Sequence, residues 1–224
     1  MPNNKTNHVD IAEELMRIHS VITHALEVMI EKSEAFLKKI PVQEDLTGFT
    51  LFVDCFITFI EGHHTTEDDF AFPYFEKLLP QMPITRLMKE HQEMVGIIQQ
   101  MDLANAKMKS SGHVKEGLIE LKKQLLQLKE LWYPHINSEE THLCSACICS
   151  VTTNKEQYKL AKRFESYGKK HFKPPTLVLP FVIYNMSEKD RAIMLNTLPW
   201  ILSRFLIPIA WKRNWRPMQP YFVH

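Results

Sequence analysis

Two imidazoles and three carboxylates stand together in the stretch GHHTTEDDF, residues 62–70, between two phenylalanine-rich runs. Such groups are costly to bury unless a partner compensates them, and a bound cation is a common compensator. His63 and Glu67 are four residues apart, so on a helix their side chains project side by side. Glu139 follows His135 at the same interval further along the chain. These two units indicate metal-binding chemistry, provided that other ligands converge on them.

Each His-x-x-x-Glu unit is preceded by another histidine at a fixed distance. His19 precedes His63 by 44 positions, and His91 precedes His135 by 44 positions. The chain therefore contains the pattern of a helical hairpin twice. The predicted metal ligands are His19, His63, Glu67, His91, His135 and Glu139. Four imidazoles and two carboxylates in the core of a helix bundle are the inventory of a dinuclear iron or manganese site.

Four amphipathic segments would have to carry these ligands. Only six of the 224 residues are glycine, and apolar residues recur at steps of three and four, which predicts helices. Their expected ranges are about 9–39, 44–79, 84–109 and 114–144. Prolines at 41, 80 and 83 and the Ser-Ser-Gly run at 110–112 separate them. The fold class predicted is all-α, an up-down four-helix bundle with a C-terminal helical extension.

Helical periodicity, at about 100° of rotation per residue, places one histidine of each segment on its apolar side. In the second segment His63 lies at the centre of the phenylalanine stripe, and His64 lies about 100° away from it. By the same reasoning Glu140 is rotated outward from Glu139, and His24 faces solvent. A buried His/Glu hydrogen-bond network without metal is the alternative interpretation. It would leave many buried donors and acceptors unpaired, which disfavours it.

Together these motifs resemble the haemerythrin-like, or HHE cation-binding, domain. The stretch HHTTEDDFAFPYF is similar to the second-helix motif of that family, and RIHSVI at 17–22, KEHQEM at 89–94 and HINSEETHL at 135–143 fit the other three helices. The resemblance covers about residues 8–145. It implies a non-haem di-iron centre in which Glu67 and Glu139 bridge and the four histidines are terminal ligands. We expect two iron ions with an oxo or hydroxo bridge, and manganese or zinc are the alternative metals.

The chain departs from oxygen-carrying haemerythrins at one position of the third helix. Those proteins have H-x-x-x-H there, whereas Val95 stands four residues after His91. One iron is therefore expected to be poorer in nitrogen ligands and more open, which disfavours simple reversible oxygen carriage. We predict that His64 or a water fills the missing position. His142 is a further candidate, either as a ligand or as a hydrogen-bond partner of Glu139.

Three functions agree with these residues. The first is a receptor or sensor that binds oxygen, nitric oxide or iron itself. The second is a di-iron oxidoreductase acting on peroxide or an organic substrate with oxygen. The third is a helical interaction module without metal. No dedicated substrate pocket is recognisable in the sequence, so binding or sensing is the favoured function.

The amino-acid composition limits which binding partners and which cellular location are expected. The formal net charge of +1 gives no field that would attract nucleic acid, so no nucleic-acid partner is expected. The polar N-terminus does not resemble a signal peptide, and no run reaches the ~20 apolar residues of a membrane span. Three of the four cysteines are crowded at 144–149 as C-x-x-C-x-C, unlike a secreted disulfide framework. We interpret them as free thiols, with a metal or redox role as the alternative, and expect a cytoplasmic location.

The C-terminal part differs in composition from the rest. We predict a metal-binding bundle at residues 8–146 and a helical extension, residues 152–224, packed on it. The alternative for the extension is a peripheral contact with a membrane or a protein. Trp200, Trp211 and Trp215 stand there beside Lys212, Arg213 and Arg216, which is typical of an interfacial element.

Overall fold

The computed structural model describes residues 9–110 and 112–223, and throughout these ranges the chain forms helices and no β-strand. Four long helices match the predicted segments: α1 (Ile11–Lys38), α2 (Gln43–Thr66), α4 (Ile84–Lys109) and α5 (Val114–His142). The second segment continues through a π-helical turn (Glu67–Ala71) and α3 (Phe72–Phe75). Residue 8, where the predicted bundle begins, and residue 111, in the predicted break between the third and fourth segments, lie outside the described ranges.

The C-terminal part consists of shorter helices. They are α6 (Ser145–Val151), α7 (Asn154–His171), α8 (Pro175–Tyr184), α9 (Glu188–Thr197), a π-helix (Leu202–Ala210), α10 (Lys212–Trp215) and a 3-10 helix (Arg216–Tyr221). Ser187 caps the start of α9, because its side chain accepts the backbone N–H of Asp190 at 3.1 Å. Thr153 and Glu156 form a capping box at the start of α7.

The four long helices contact one another in a closed ring. α1 packs against α2 and α5, and α4 packs against the same two helices. Apolar side chains fill the space between them in two clusters. The larger cluster includes Phe52, Phe56, Leu121 and Leu125, and burying each of these side chains contributes about 2 kcal/mol.

A polar layer separates the two apolar clusters. On α1, His19 lies between Ala12 of the smaller cluster and Ile22 of the larger one. On α4, His91 lies between Leu87 of the smaller cluster and Met94 of the larger one. The histidines therefore stand at one level of the fold, with an apolar cluster on either side of them along the helix axes.

The C-terminal helices cover the side of α2 that faces away from the other long helices. α7, α8 and the 3-10 helix all contact α2. The Tyr221 hydroxyl donates a hydrogen bond to the Asp45 carbonyl at 2.7 Å. Gly48 allows close approach here, because a Cβ at that position would collide with the Pro217 carbonyl oxygen. α2 is consequently buried on nearly all sides.

Two expectations from the sequence need correction. Cys144 and Cys147 form a disulfide, so the free-thiol interpretation is wrong for them, and it holds for Cys55 and Cys149. Cys144 is the N-cap of α6, which brings its Cα within 5.1 Å of Cys147, a separation that permits a disulfide. His24 does not face solvent: it is half-buried, and its Nε2 has no hydrogen-bond partner within the described ranges.

Among the described residues, no single helix is both long and apolar enough to cross a bilayer. The consecutive helices Glu188–Thr197 and Leu202–Ala210 reach that length and hydropathy only together, and they meet at an angle of 114°.

Candidate metal centre

The six predicted ligands converge in the polar layer and are all buried. Their nitrogen and oxygen atoms form two groups, and within each group the atoms lie within 4.8 Å of one another. The first group is His19, His63, Glu67 and Glu139. The second group is Glu67, His91, His135 and Glu139. Both glutamates belong to both groups.

Each glutamate directs one oxygen to each group. Glu67 Oε1 lies 3.3 Å from His63 Nε2, while its Oε2 lies 3.5 Å from His91 Nε2. Glu139 Oε2 lies 3.2 Å from His19 Nε2, while its Oε1 lies 3.5 Å from His135 Nε2. Two carboxylates shared in this way are suited to bridge two cations, which is the role that the family resemblance implies for these two residues.

The atoms that face the centre are short of hydrogen-bond partners. Within the described part of the chain, His19 Nε2, His63 Nε2, Glu67 Oε2 and both oxygens of Glu139 are buried and unpaired. His91 Nε2 and His135 Nε2 face each other at 2.9 Å. Buried polar groups are normally paired, so this concentration of lone pairs fits a centre designed for cations.

A second set of carboxylates holds the opposite nitrogens of three histidines. The Nδ1 atoms donate to Glu140 from His19 at 2.9 Å, to Asp68 from His91 at 2.7 Å, and to Glu90 from His135 at 2.9 Å. This arrangement fixes the ring orientation and leaves Nε2 free to bind a metal. In the chain each of these carboxylates is next to a predicted ligand, and that adjacency is the only signal the sequence carried for them.

Burial and the neighbouring charges together set the pKa values of the histidines and glutamates in this site. Burial alone would lower the pKa of His19, but the nearby carboxylates of Glu139, Glu140 and Glu67 raise it well above the ordinary value. Burial, and then repulsion from neighbouring imidazolium groups, hold the pKa of His63 well below that value. Burial and the nearby Glu139 raise the pKa of Glu67 to about 7. A carboxylate whose pKa is raised in this way is stabilised in its ionised form when a cation binds beside it.

His64 belongs to the centre, although periodicity placed it about 100° from the apolar stripe. It is only 3% exposed, and neither ring nitrogen has a hydrogen-bond partner in the described structure. Its ring stacks on that of His91 at 4.1 Å. His64, His91 and His135 offer nitrogens within 4.8 Å of one another. The structure thus brings a fifth imidazole to the second group, on the side where Val95 departs from the family pattern.

The π-helical turn that begins at Glu67 explains how two adjacent carboxylates reach the same ring. Glu67 Oε2 approaches His91 Nε2, and Asp68 Oδ1 accepts from His91 Nδ1. In an α-helix neighbouring side chains diverge by about 100°. The wider turn reduces this to about 80°, because its bonds run from residue i to i+5.

The remaining candidates lie outside the two groups. His142 donates from Nδ1 to the Ser138 carbonyl at 2.7 Å and belongs to neither cluster, so the alternative of direct ligation is not supported. Trp132 is fully buried and presents its ring edge-on to His19 at 5.7 Å, which makes it part of the wall of the site.

A cavity of about 280 Å³ lies between α2 and α4 and reaches His64 and His91. Glu61, Asp68 and Val95 also line it. Val95 is 43% exposed and stands at this opening, where a small residue leaves room for molecules to pass. The second group is therefore the one that solutes can approach.

A helical chain that buries five imidazoles around two shared carboxylates is built as a cation-binding protein. The sequence matches the hemerythrin HHE cation binding domain over residues 10–147. The chain belongs to this hemerythrin family, which confirms the resemblance seen in its motifs. No curated protein and no solved structure matches the chain.

Proposed function

We propose that the chain is a non-haem di-iron protein that binds or senses a small molecule, either oxygen, nitric oxide or peroxide, or iron itself. The observation that carries this proposal is the division of the Glu67 and Glu139 oxygens between two histidine groups. Imidazole and carboxylate together suit iron and manganese. Iron is the metal we favour, with manganese and zinc as alternatives.

The four long helices are proposed to form an up-down bundle over residues 8–146, with residues 152–224 as its extension. The closed ring of helix contacts and the short connections support this arrangement. Each helix then contributes ligands to one layer, and the outer carboxylates join neighbouring helices at the same level. A cytoplasmic location stays a prediction.

We assign His64 as the fifth nitrogen ligand, so that His19 and His63 serve one cation and His64, His91 and His135 serve the other. When bound, the metal pair would supply a redox-active centre with affinity for small ligands. The chain's own contribution is to hold Nε2 of each imidazole inward, to bridge with two carboxylates, and to exclude bulk water with Trp132 and the apolar clusters.

The size of the cavity supports small ligands over organic substrates. At about 280 Å³, it is just below the ~300–1,000 Å³ that is usual for pockets holding drug-sized molecules. Diatomic gases and peroxide fit easily. Binding or sensing of these molecules is therefore the function that the geometry supports best.

A peroxide-consuming oxidoreductase is the second candidate, and Glu61 is the observation that favours it. This carboxyl is exposed at the cavity, and partial desolvation together with the nearby Asp102 raises its pKa. A carboxyl that keeps its proton more readily is suited to deliver it to a molecule in the cavity.

Iron loading followed by elemental analysis tests the proposal. Anaerobic loading should give close to two iron ions per chain, and His63→Ala and His135→Ala should each lose metal. His24→Ala is the matched control: this half-buried histidine belongs to neither ligand group, and its variant should keep the metal. Less than about half an equivalent of any transition metal in the wild type would refute the proposal.

Spectroscopy and turnover then separate the two candidates. The loaded protein should bind nitric oxide with a change in its absorption spectrum and should consume added peroxide no faster than free iron does. Sustained peroxide consumption that falls in Glu61→Gln, with iron content unchanged, would select the oxidoreductase instead.

A further inference from the structure

An apolar ridge projects from the C-terminal part of the chain. It consists of Trp200, Ile201, Phe205 and Ile209, which are 73%, 52%, 47% and 62% exposed. Ile201, Phe205 and Ile209 follow one another at intervals of four, which keeps them on one side of the helix. Contiguous exposed apolar surface of this kind marks an interaction site.

Positive charges lie within and directly after the ridge segment in the sequence, and this stretch carries no negative charge. Between Arg191 and the C-terminus there is no aspartate or glutamate. We call the exposed cations of this stretch the basic flank: Arg204, Lys212, Arg213 and Arg216. None of the four forms an ion pair with any residue in the described ranges. Their charge is thus available to an external partner.

The opposite side of the segment is fixed to the protein, so the ridge is held outward. Ile207 is buried, and its carbonyl accepts the Trp215 indole N–H at 2.8 Å. The Trp215 ring packs against Tyr184 with 4.7 Å between ring centres. The exposed side chains are therefore presented from a packed helix.

We propose that the ridge and the basic flank bind the surface of an anionic phospholipid bilayer. Tryptophan, phenylalanine and isoleucine would enter the headgroup region, and the arginines and lysine would contact lipid phosphates and carboxylates. The bend of 114° between α9 and the π-helix and the shortness of both suit a segment lying at the surface.

Charge also favours a bilayer over a second copy of the chain. A symmetric dimer through the ridge would bring the same patch of both copies together, because a two-fold interface uses identical surfaces. The two basic flanks would then face each other with no acidic residue of this segment to offset them. An anionic lipid surface supplies the missing charge.

Vesicle flotation with the full-length chain tests this inference, and it depends on no metal. The protein should float with phosphatidylcholine vesicles containing about 30% phosphatidylserine, and much less with phosphatidylcholine alone. Binding should weaken as salt increases. Replacing one cation, as in Arg204→Gln or Lys212→Gln, should reduce partitioning about fivefold, and Phe205→Ser with Ile209→Ser should reduce it at least about tenfold.

A matched control removes similar apolar surface elsewhere. Leu103 on α4 and Ile119 on α5 are 55% and 52% exposed, so Leu103→Ser with Ile119→Ser should leave vesicle binding unchanged. Circular dichroism of every variant verifies the helix content. The inference is overturned if the wild type does not float with anionic vesicles or if the ridge and control variants bind equally. It is also overturned if light scattering shows a dimer that the ridge variant dissociates.

Discussion

Replacing His64 with leucine should stabilise the metal-free protein and weaken its metal binding. Both ring nitrogens of His64 are buried without a partner, and each such group costs about 1–3 kcal/mol. Losing the stacking on His91 offsets about 1 kcal/mol, and imperfect packing of leucine offsets about 1 kcal/mol more. The two groups together cost about 2–6 kcal/mol, so the net gain is about 0–4 kcal/mol with a midpoint of about 2 kcal/mol, or about 4–8 °C in melting temperature at the midpoint.

The advantage of the variant should grow in acid. Burial and the neighbouring imidazoles hold the pKa of folded His64 well below its ordinary value of 6.5. The unfolded chain therefore takes up a proton as the pH falls below about 6.5, while the folded protein does not. The free energy of unfolding of the wild type therefore falls in acid because of His64. His64→Leu has no titrating group at this position, so its free energy of unfolding does not fall for this reason.

Metal should reduce the stability advantage of His64→Leu over the wild type. A bound cation stabilises the native state in proportion to the logarithm of its affinity, and one lost ligand lowers that affinity by at least about tenfold, or about 1.4 kcal/mol. Thermal melts followed by circular dichroism, with chelator and with iron, measure both effects. His113→Leu changes an exposed histidine outside both ligand groups and serves as control. A chelated variant less stable than wild type, or an unchanged iron-induced shift, would refute the assignment.

Three further outcomes are expected. Asp68→Asn should weaken iron binding about 10–100-fold by calorimetry, because it removes the acceptor that orients His91, and unchanged affinity would contradict that role. Since Glu67 must release its proton to bridge, metal affinity should fall as the pH drops below about 7, and Glu67→Gln should lose part of this dependence as well as affinity, while the proton on His19 accounts for the rest. Gly48→Ala should cost about 2–3 kcal/mol in urea unfolding, because its Cβ meets a backbone carbonyl, whereas Gly96→Ala, in open space on α4, should gain about 1 kcal/mol. Equal effects of the two glycine substitutions would contradict the packing described for the C-terminal helices.

Whether the sequence predicts a ligand correctly depends on how many sides of its helix are buried by other helices. Periodicity located His19 and His91 correctly, because α1 and α4 keep a polar side. It misjudged His64, because α2 is covered by α7, α8 and the 3-10 helix in addition to the other long helices. A single apolar stripe is a poor description of a helix buried on nearly all sides.

Contacts between helices are the part that the sequence could not supply. Periodicity correctly placed Glu140 on a different side of α5 from Glu139. It could not show that this side faces His19 on α1, whose ring Glu140 contacts. The Cys144–Cys147 pair depends in the same way on how the chain turns between α5 and α6. Helical periodicity reports the angle around one axis, and it holds no information about which neighbour stands there.

The outer carboxylates also determine the electrostatic balance of the proposed centre across oxidation states. Five carboxylates belong to the centre or accept hydrogen bonds from its histidines, and together they carry five negative charges. They are Glu67, Glu139, Asp68, Glu90 and Glu140. Two divalent cations would leave this assembly one unit negative, and two trivalent cations with the expected hydroxo bridge would leave it neutral. Electron loss would therefore not accumulate a large uncompensated charge in the protein interior, where such charge is most expensive. The same scaffold would therefore tolerate both valence states without having to repack.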